Sequence, residues 1–287
     1  MTGKHWGLLT LLASIWGASF IFYRIIAPVL GAVWTAETRV TIAGLALLGF
    51  AVLSQAKLEP ERWRWYGLIG VLNSGIPFAL IAFAQLKLSA SMAAILNATT
   101  PMWSVLLGVV FFGSAFSIHK GIGLILGVLG VSVLVGWSPL EPNLQTTLSI
   151  LAMLGATFCY GLSSNLANRF LKGAPPLGAA VGSQLGSSVA LLPLLPFDLP
   201  RATPSLLVFV CVLALALLCT AIAYILYFRL ILDVGAVQAS TVTLLVPIFS
   251  MIWASLFLGE SPTLVKLVAC SIIVTGVLLI NHSNTKP

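Results

Sequence analysis

Charge is what this chain has least of. Asp, Glu, Lys and Arg together make up 7% of its 287 residues, where a soluble domain carries about a quarter. A water-facing surface cannot be covered at that density, so a freely soluble globular fold is excluded. Acids are scarcer still, 7 against 14 basic residues, and none falls at the middle of an apolar run. Asp198 and Asp233 lie in expected loops, which leaves no intramembrane pair for an aspartyl-type protease. Histidine is nearly as rare. His5, His119 and His282 sit at run ends or tails, so a serine nucleophile has no base within reach. The 4 cysteines (Cys159, Cys211, Cys219, Cys270) fall inside apolar runs without C-x-x-C spacing, which argues against a zinc site or a disulfide framework. No phosphate-binding loop or metal motif is present. No enzyme activity and no cofactor are expected. A channel would want a carbonyl filter or a ring of charge, and neither is read.

What the chain has instead is apolar length. Hydrophobic residues make up 59% of it, in continuous runs rather than the alternating ~10-residue strands of a membrane barrel. Each run approaches the ~20 residues that a spanning helix needs. Ten are read: Trp6–Ile26, Ala32–Leu53, Trp65–Leu86, Ala90–Phe112, His119–Trp137, Thr146–Leu171, Pro176–Leu195, Pro204–Leu230, Gly235–Leu258 and Leu264–Ile280. The first is too long for a signal peptide and closes without a small-x-small cleavage site. With the N-terminus inside and loops assigned alternately, Lys4, Lys57, Arg62, Arg64, Lys120, Arg169, Lys172, Arg229 and Lys286 fall inside. Arg24, Lys87, Arg201 and Lys266 fall outside. That asymmetry is the positive-inside bias, and it places both termini in the cytoplasm of a plasma (inner) membrane. The net charge of +7 therefore reflects topology rather than affinity for nucleic acid.

Two stretches repeat one pattern. Pro101, Gly113, Lys120 and Gly130 recur as Pro247, Gly259, Lys266 and Gly276 at a constant offset (247 − 101 = 146, and likewise for the other three). A repeat at half the chain length, written in apolar residues, points to a duplicated membrane unit. The polar break at Ser138–Gln145 divides the chain into 1–138, a linker 139–145, and 146–287. Five helices being an odd number, the second copy enters the membrane inverted. The expected fold is an all-α integral membrane protein, ten transmembrane helices as two inverted five-helix repeats around a central cavity, with a site near midplane and alternating access.

The constellation Gly-Glu-x5-Lys-x9-Gly over Gly259–Gly276, with Pro247 twelve residues earlier, resembles the repeat of the EamA-type drug/metabolite transporter superfamily. Pro101, Gly113, Lys120, Gly123 and Gly130 resemble it too, as do Trp16-Gly17 and Arg39 near the start of the first copy. The copies differ: Ser114 stands where the second has Glu260, and Ala269 where the first has Gly123. The resemblance implies a ten-helix bundle with its fifth and tenth helices peripheral, and relatives that export amino acids, aromatic ones included, and other metabolites.

Polar groups in a bilayer are costly unless they pair or line a wet cavity. Asn97, Thr100 and Trp103 flank Pro101, and Ser240 and Thr243 precede Pro247. Asn73 and Ser74 precede Pro77. Proline frees a carbonyl one turn earlier and bends the helix, so Pro77, Pro101 and Pro247 are candidate hinges. Trp16, Ser19, Tyr160, Ser163 and Tyr224 complete the candidate substrate set, with aromatic rings suited to stacking or to an ammonium. Glu37 and Arg39 are candidate gating or carboxylate-binding residues. At i and i+2 they do not face each other, and Arg24 is the partner expected for Glu37. With no other acid in the path, facilitated exchange or export of a small-molecule substrate is expected rather than tight proton coupling. The other readings are multidrug or other metabolite export and, less well supported by the single deep cation Arg39, nucleotide-sugar or phosphate-ester transport. The partners are substrate and membrane lipid, and one chain completes one pathway, so a monomer suffices.

Overall fold

A computed structural model describes residues 2–137, 143–234, 239 and 241–283. Among the described residues every regular element is a helix. The helices fall on the apolar runs: α1 (Gly3–Leu30), α2 (Ala32–Leu53), α3 (Pro60–Ala84), α4 (Ala90–Phe111), α5 (Ile118–Gly136), α6 (Leu144–Phe170), α7 (Pro176–Phe197) and α8 (Leu206–Ile231), then α9 (Val242–Leu258) and α10 (Leu264–Ser283). The first 8 are long and apolar enough to cross a membrane, and α9 and α10 are shorter apolar helices. Ends differ from expectation by a few residues, since α1 runs on through Pro28 and α3 begins at Pro60. Ser240 and part of the expected linker lie outside the described residues.

Polar residues in the loops start the helices. Ser89, Ser117, Asn143 and Ser205 each accept a hydrogen bond from a backbone amide in the first turn of α4, α5, α6 and α8, a cap typically worth about 1 kcal/mol. Asp198 does the same from a distance: its Oδ2 accepts from Val33 N at 2.7 Å. This ties the start of α2 to the segment after α7.

The repeated residues also have local work. Gly113 and Gly259 sit at φ +69° and +67°, a left-handed backbone open to glycine without penalty. Lys120 Nζ donates to Ala115 O at 2.7 Å, and Lys266 Nζ to Ser261 O at 3.4 Å, so each lysine closes the loop ahead of its helix. Glu260 does more than its counterpart Ser114. Its carboxylate accepts from Ala90 N (2.7 Å), Ser91 N (3.2 Å) and Ser91 Oγ (2.5 Å), a negative charge on the positive end of α4.

The main helix contacts repeat. α1 lies against α9 as α4 lies against α6, and α3 against α7 as α8 against α2, while α2 pairs with α7 and α5 with α10. Exchanging each helix with the one five further along leaves this set unchanged. Glycines set the closest approaches. A Cβ on Gly17 would lie 2.8 Å from Phe249 Cβ and 2.9 Å from Ser250 N, and one on Gly161 would lie 2.8 Å from Trp103 Cβ and 2.7 Å from Ser104 N. Phe249 and Ser250 are the repeat counterparts of Trp103 and Ser104, so the two contacts are one contact made twice.

Candidate functional site

α3 and α8 both loosen midway. Val71–Gly75 and Ala214–Ile222 are wound as π-helix, a distortion common at functional sites. In α3 it directly precedes Pro77; in α8 no proline is involved, and Thr220 Oγ1 donates to Leu215 O at 3.0 Å. α4 breaks near Pro101, where Thr100 Oγ1 caps the carbonyl of Asn97 at 2.8 Å. The carbonyl freed by proline is thus taken by a neighbouring hydroxyl.

These distortions surround a cavity of about 420 Å³. Of the residues expected there, Trp16, Ser19, Asn73, Asn97, Thr100, Pro101, Tyr160, Tyr224, Thr243 and Arg39 line it. The structure adds Phe20, Tyr23, Phe78, Ser104, Ser164 and Tyr227 to the wall. Ile280 of α10 also reaches it, so that helix, expected at the periphery, contributes at its end. Tyr23 carried a legible signal, since Trp16, Ser19, Phe20 and Tyr23 follow the i, i+3, i+4, i+7 spacing of one helix face. Phe78 carried none.

Other candidates lie in helix contacts instead. Trp103 packs against Gly161 and meets Phe158 edge-on at 5.5 Å. Ser74 accepts from Gln184 Nε2 at 2.9 Å, and Ser163 Oγ donates to Ile69 O at 3.3 Å. Pro247 is buried within α9. Glu37 faces α7, where its Oε1 accepts from Ser188 Oγ (2.7 Å), and it also accepts from Thr41 Oγ1 of its own helix (2.5 Å). The expected Arg24–Glu37 pair is replaced, because Arg24 Nη1 donates to Gln85 O at 2.6 Å and Leu86 O at 3.2 Å.

Arg39 dominates the electrostatics. It is 6% exposed, its Nη1 donates to Tyr23 Oη at 2.6 Å, and its Nε to Thr220 Oγ1 at 2.8 Å. The Phe78 ring lies 3.6 Å below the guanidinium carbon, a cation–π contact worth about 2 kcal/mol or more when desolvated. All these partners are neutral. Among the described residues the ion pairs are Arg62–Glu59 and Lys266–Glu260; Arg39 has none. Across the cavity wall, Asn97 Oδ1 is buried without a hydrogen-bond partner among the described residues. Trp16 and Tyr227 rings pack at 5.2 Å, tilted by 56°. The site thus offers one fixed cation, one unpaired acceptor and an aromatic wall, held between distorted helices.

Apolar helices closed around such a cavity define a multi-pass membrane transporter. The model of the EamA-like transporter family matches residues 5–136 and again 147–282, and the chain belongs to that family. It is 24% identical to a probable terminal-alkyne amino-acid exporter of Streptantibioticus cattleyicolor, over 96% of this chain and 92% of that one. It is 26% identical to the uncharacterized inner membrane transporter YedA of Escherichia coli K12, over 96% and 89%. It is 27% identical to the uncharacterized transporter YdfC of Bacillus subtilis, over 83% and 78%. A solved crystal structure superposes over the whole of both chains with a TM-score of 0.70 at 16% identity, a likeness of fold alone.

Proposed function

We propose that this chain exports small amino acids, aromatic ones among them, from the cytoplasm across the inner membrane by alternating access. The observation that carries the reading is Arg39, a buried guanidinium that opens on the cavity and has only neutral partners. A charge in this position costs several kcal/mol unless something compensates it, and the carboxylate of a bound substrate does so. The unpaired Asn97 Oδ1 and the Trp16 ring suit the ammonium. The similarity to a probable amino-acid exporter supports the same class.

Alternating access draws on the exchange symmetry of the packing and on the repeat offset. Five-helix halves related in this way enter the membrane inverted, and exchanging their conformations moves the opening from one face to the other. At 17 residues, α9 meets the lower bound of about 17 for a span. The positive-inside count supports cytoplasmic termini, with Lys120 inside and Lys266 outside. Glu37, held by two hydroxyls away from the cavity, acts on the α2–α7 contact rather than on substrate.

Counterflow tests the reading. Proteoliposomes loaded with unlabelled phenylalanine should accumulate labelled phenylalanine above empty liposomes, and Arg39→Gln should abolish the difference. No accumulation with any amino acid would overturn the substrate class.

A further inference from the structure

The cavity's charges do not balance a zwitterion. Besides Arg39, the described residues of its wall include no Lys, His, Asp or Glu. The chain has 7 acids in all, and the described ones are engaged or directed elsewhere. Glu37 faces Thr41 and Ser188, Asp198 caps α2, Glu59 pairs with Arg62, and Glu260 holds the start of α4. Glu61 and Asp233 are exposed at helix ends. Glu141 lies outside the described residues and in the linker between the halves. The substrate's carboxylate therefore has an ionic partner in the cavity, whereas its ammonium has only a neutral amide oxygen and ring faces.

From this we infer that the negative charge is the element the site demands and the amine is dispensable, so the transporter also carries monocarboxylates that lack an amine, such as 2-oxo acids with an aromatic or branched side chain. This rests on the same cavity reading as the amino-acid proposal. A monoanion cancels Arg39 outright. A zwitterion cancels it but brings an ammonium that must leave water for ring faces and one amide. A cation adds its charge to Arg39 in a site of low dielectric, where repulsion is strong. The order of preference is then monoanion at least equal to zwitterion, and both far ahead of a cation. Lipophilic cations, which an aromatic wall would otherwise admit, fall at the bottom.

The test uses the full chain in proteoliposomes and four compounds of one shape: phenylpyruvate, phenylalanine, phenylalaninamide and phenethylamine. Labelled phenylpyruvate should accumulate by counterflow and should compete with phenylalanine at least as well as phenylalanine itself. The amide and the amine, which lack the carboxylate, should compete at least about tenfold more weakly, the scale of one buried group left unpaired. Asn97→Asp, which places an acid in the wall, should shift the ratio toward phenylalanine by about tenfold or more. If phenylalanine is carried but phenylpyruvate is not, the inference is overturned while the amino-acid reading stands. If phenylpyruvate is carried and phenylalanine is not, the amino-acid reading falls and the inference stands. Competition by phenethylamine or by the amide equal to that of phenylalanine would overturn the inference, and carriage of neither acid would overturn both.

Discussion

A guanidinium in an apolar bundle is expensive, and the way Arg39 is held says what it is for. A structural arginine is commonly matched by a carboxylate; this one is held by Tyr23 and Thr220 hydroxyls and by the Phe78 face. Those partners orient the group without cancelling its charge, and so leave that charge for a ligand. Arg39→Lys keeps the charge but loses the fork, because one ammonium cannot repeat two bonds in fixed planar geometry. Counterflow should fall by more than about tenfold, even though the variant is as cationic as the parent. Tyr23→Phe removes one 2.6 Å bond. Hydrogen bonds to charged groups contribute about 1.5–3 kcal/mol to stability, so the melting temperature in detergent should fall, and KM for phenylalanine should rise as the guanidinium loses its orientation. An unchanged KM would mean that Tyr23 does not position the guanidinium that binds substrate.

At the scale of elements, the glycines beside the cavity matter as much as the rings that line it. Trp16 and Tyr160 can face the cavity because Gly17 and Gly161, each next in sequence, let α1 meet α9 and α6 meet α4 backbone to backbone. Gly17→Ala should force a contact of 2.8 Å with Phe249 and 2.9 Å with Ser250 N, a cost of about 1–3 kcal/mol. The melting temperature in detergent should drop by several degrees, while Gly49→Ala, with nothing within 4 Å, should leave it in place. The helices themselves were legible in the sequence because an unbroken apolar run has one outcome in a bilayer. The repeat was legible because its residues meet backbone demands: a left-handed turn at Gly113 and Gly259, and a loop carbonyl bonded by Lys120 and Lys266. Part of the site, including Asn73, Asn97, Thr100 and Thr243, was legible through polar residues near prolines. The rest was not, since which face of a helix looks inward depends on its neighbours. Trp103 and Tyr160 read alike in sequence, yet Trp103 turns to Phe158 and Tyr160 to the cavity. The π-wound stretch of α8 has no proline to announce it.

For the whole molecule, the proposal stands on inversion. The main helix contacts map onto one another when each helix is exchanged with the one five along, as halves related by an axis would make them. With five spans in each half, as proposed, that axis lies in the membrane plane. The loop between α4 and α5 and the loop between α9 and α10 carry the same Gly…Lys pattern and the same lysine-to-carbonyl bond, so they report directly on orientation. Under inversion they lie on opposite faces, the first in the cytoplasm. Three native cysteines, Cys211, Cys219 and Cys270, are buried and Cys159 is partly so, which makes a cysteine-free background practical. Phe116→Cys and Pro262→Cys, both at exposed loop positions, should then react with a membrane-impermeant maleimide from opposite sides: position 262 in intact cells, position 116 only after the membrane is opened. Labelling of both from one side would place the two halves in parallel. The exchange of halves would then no longer account for alternating access, and the cavity around Arg39 would need a different route to each face.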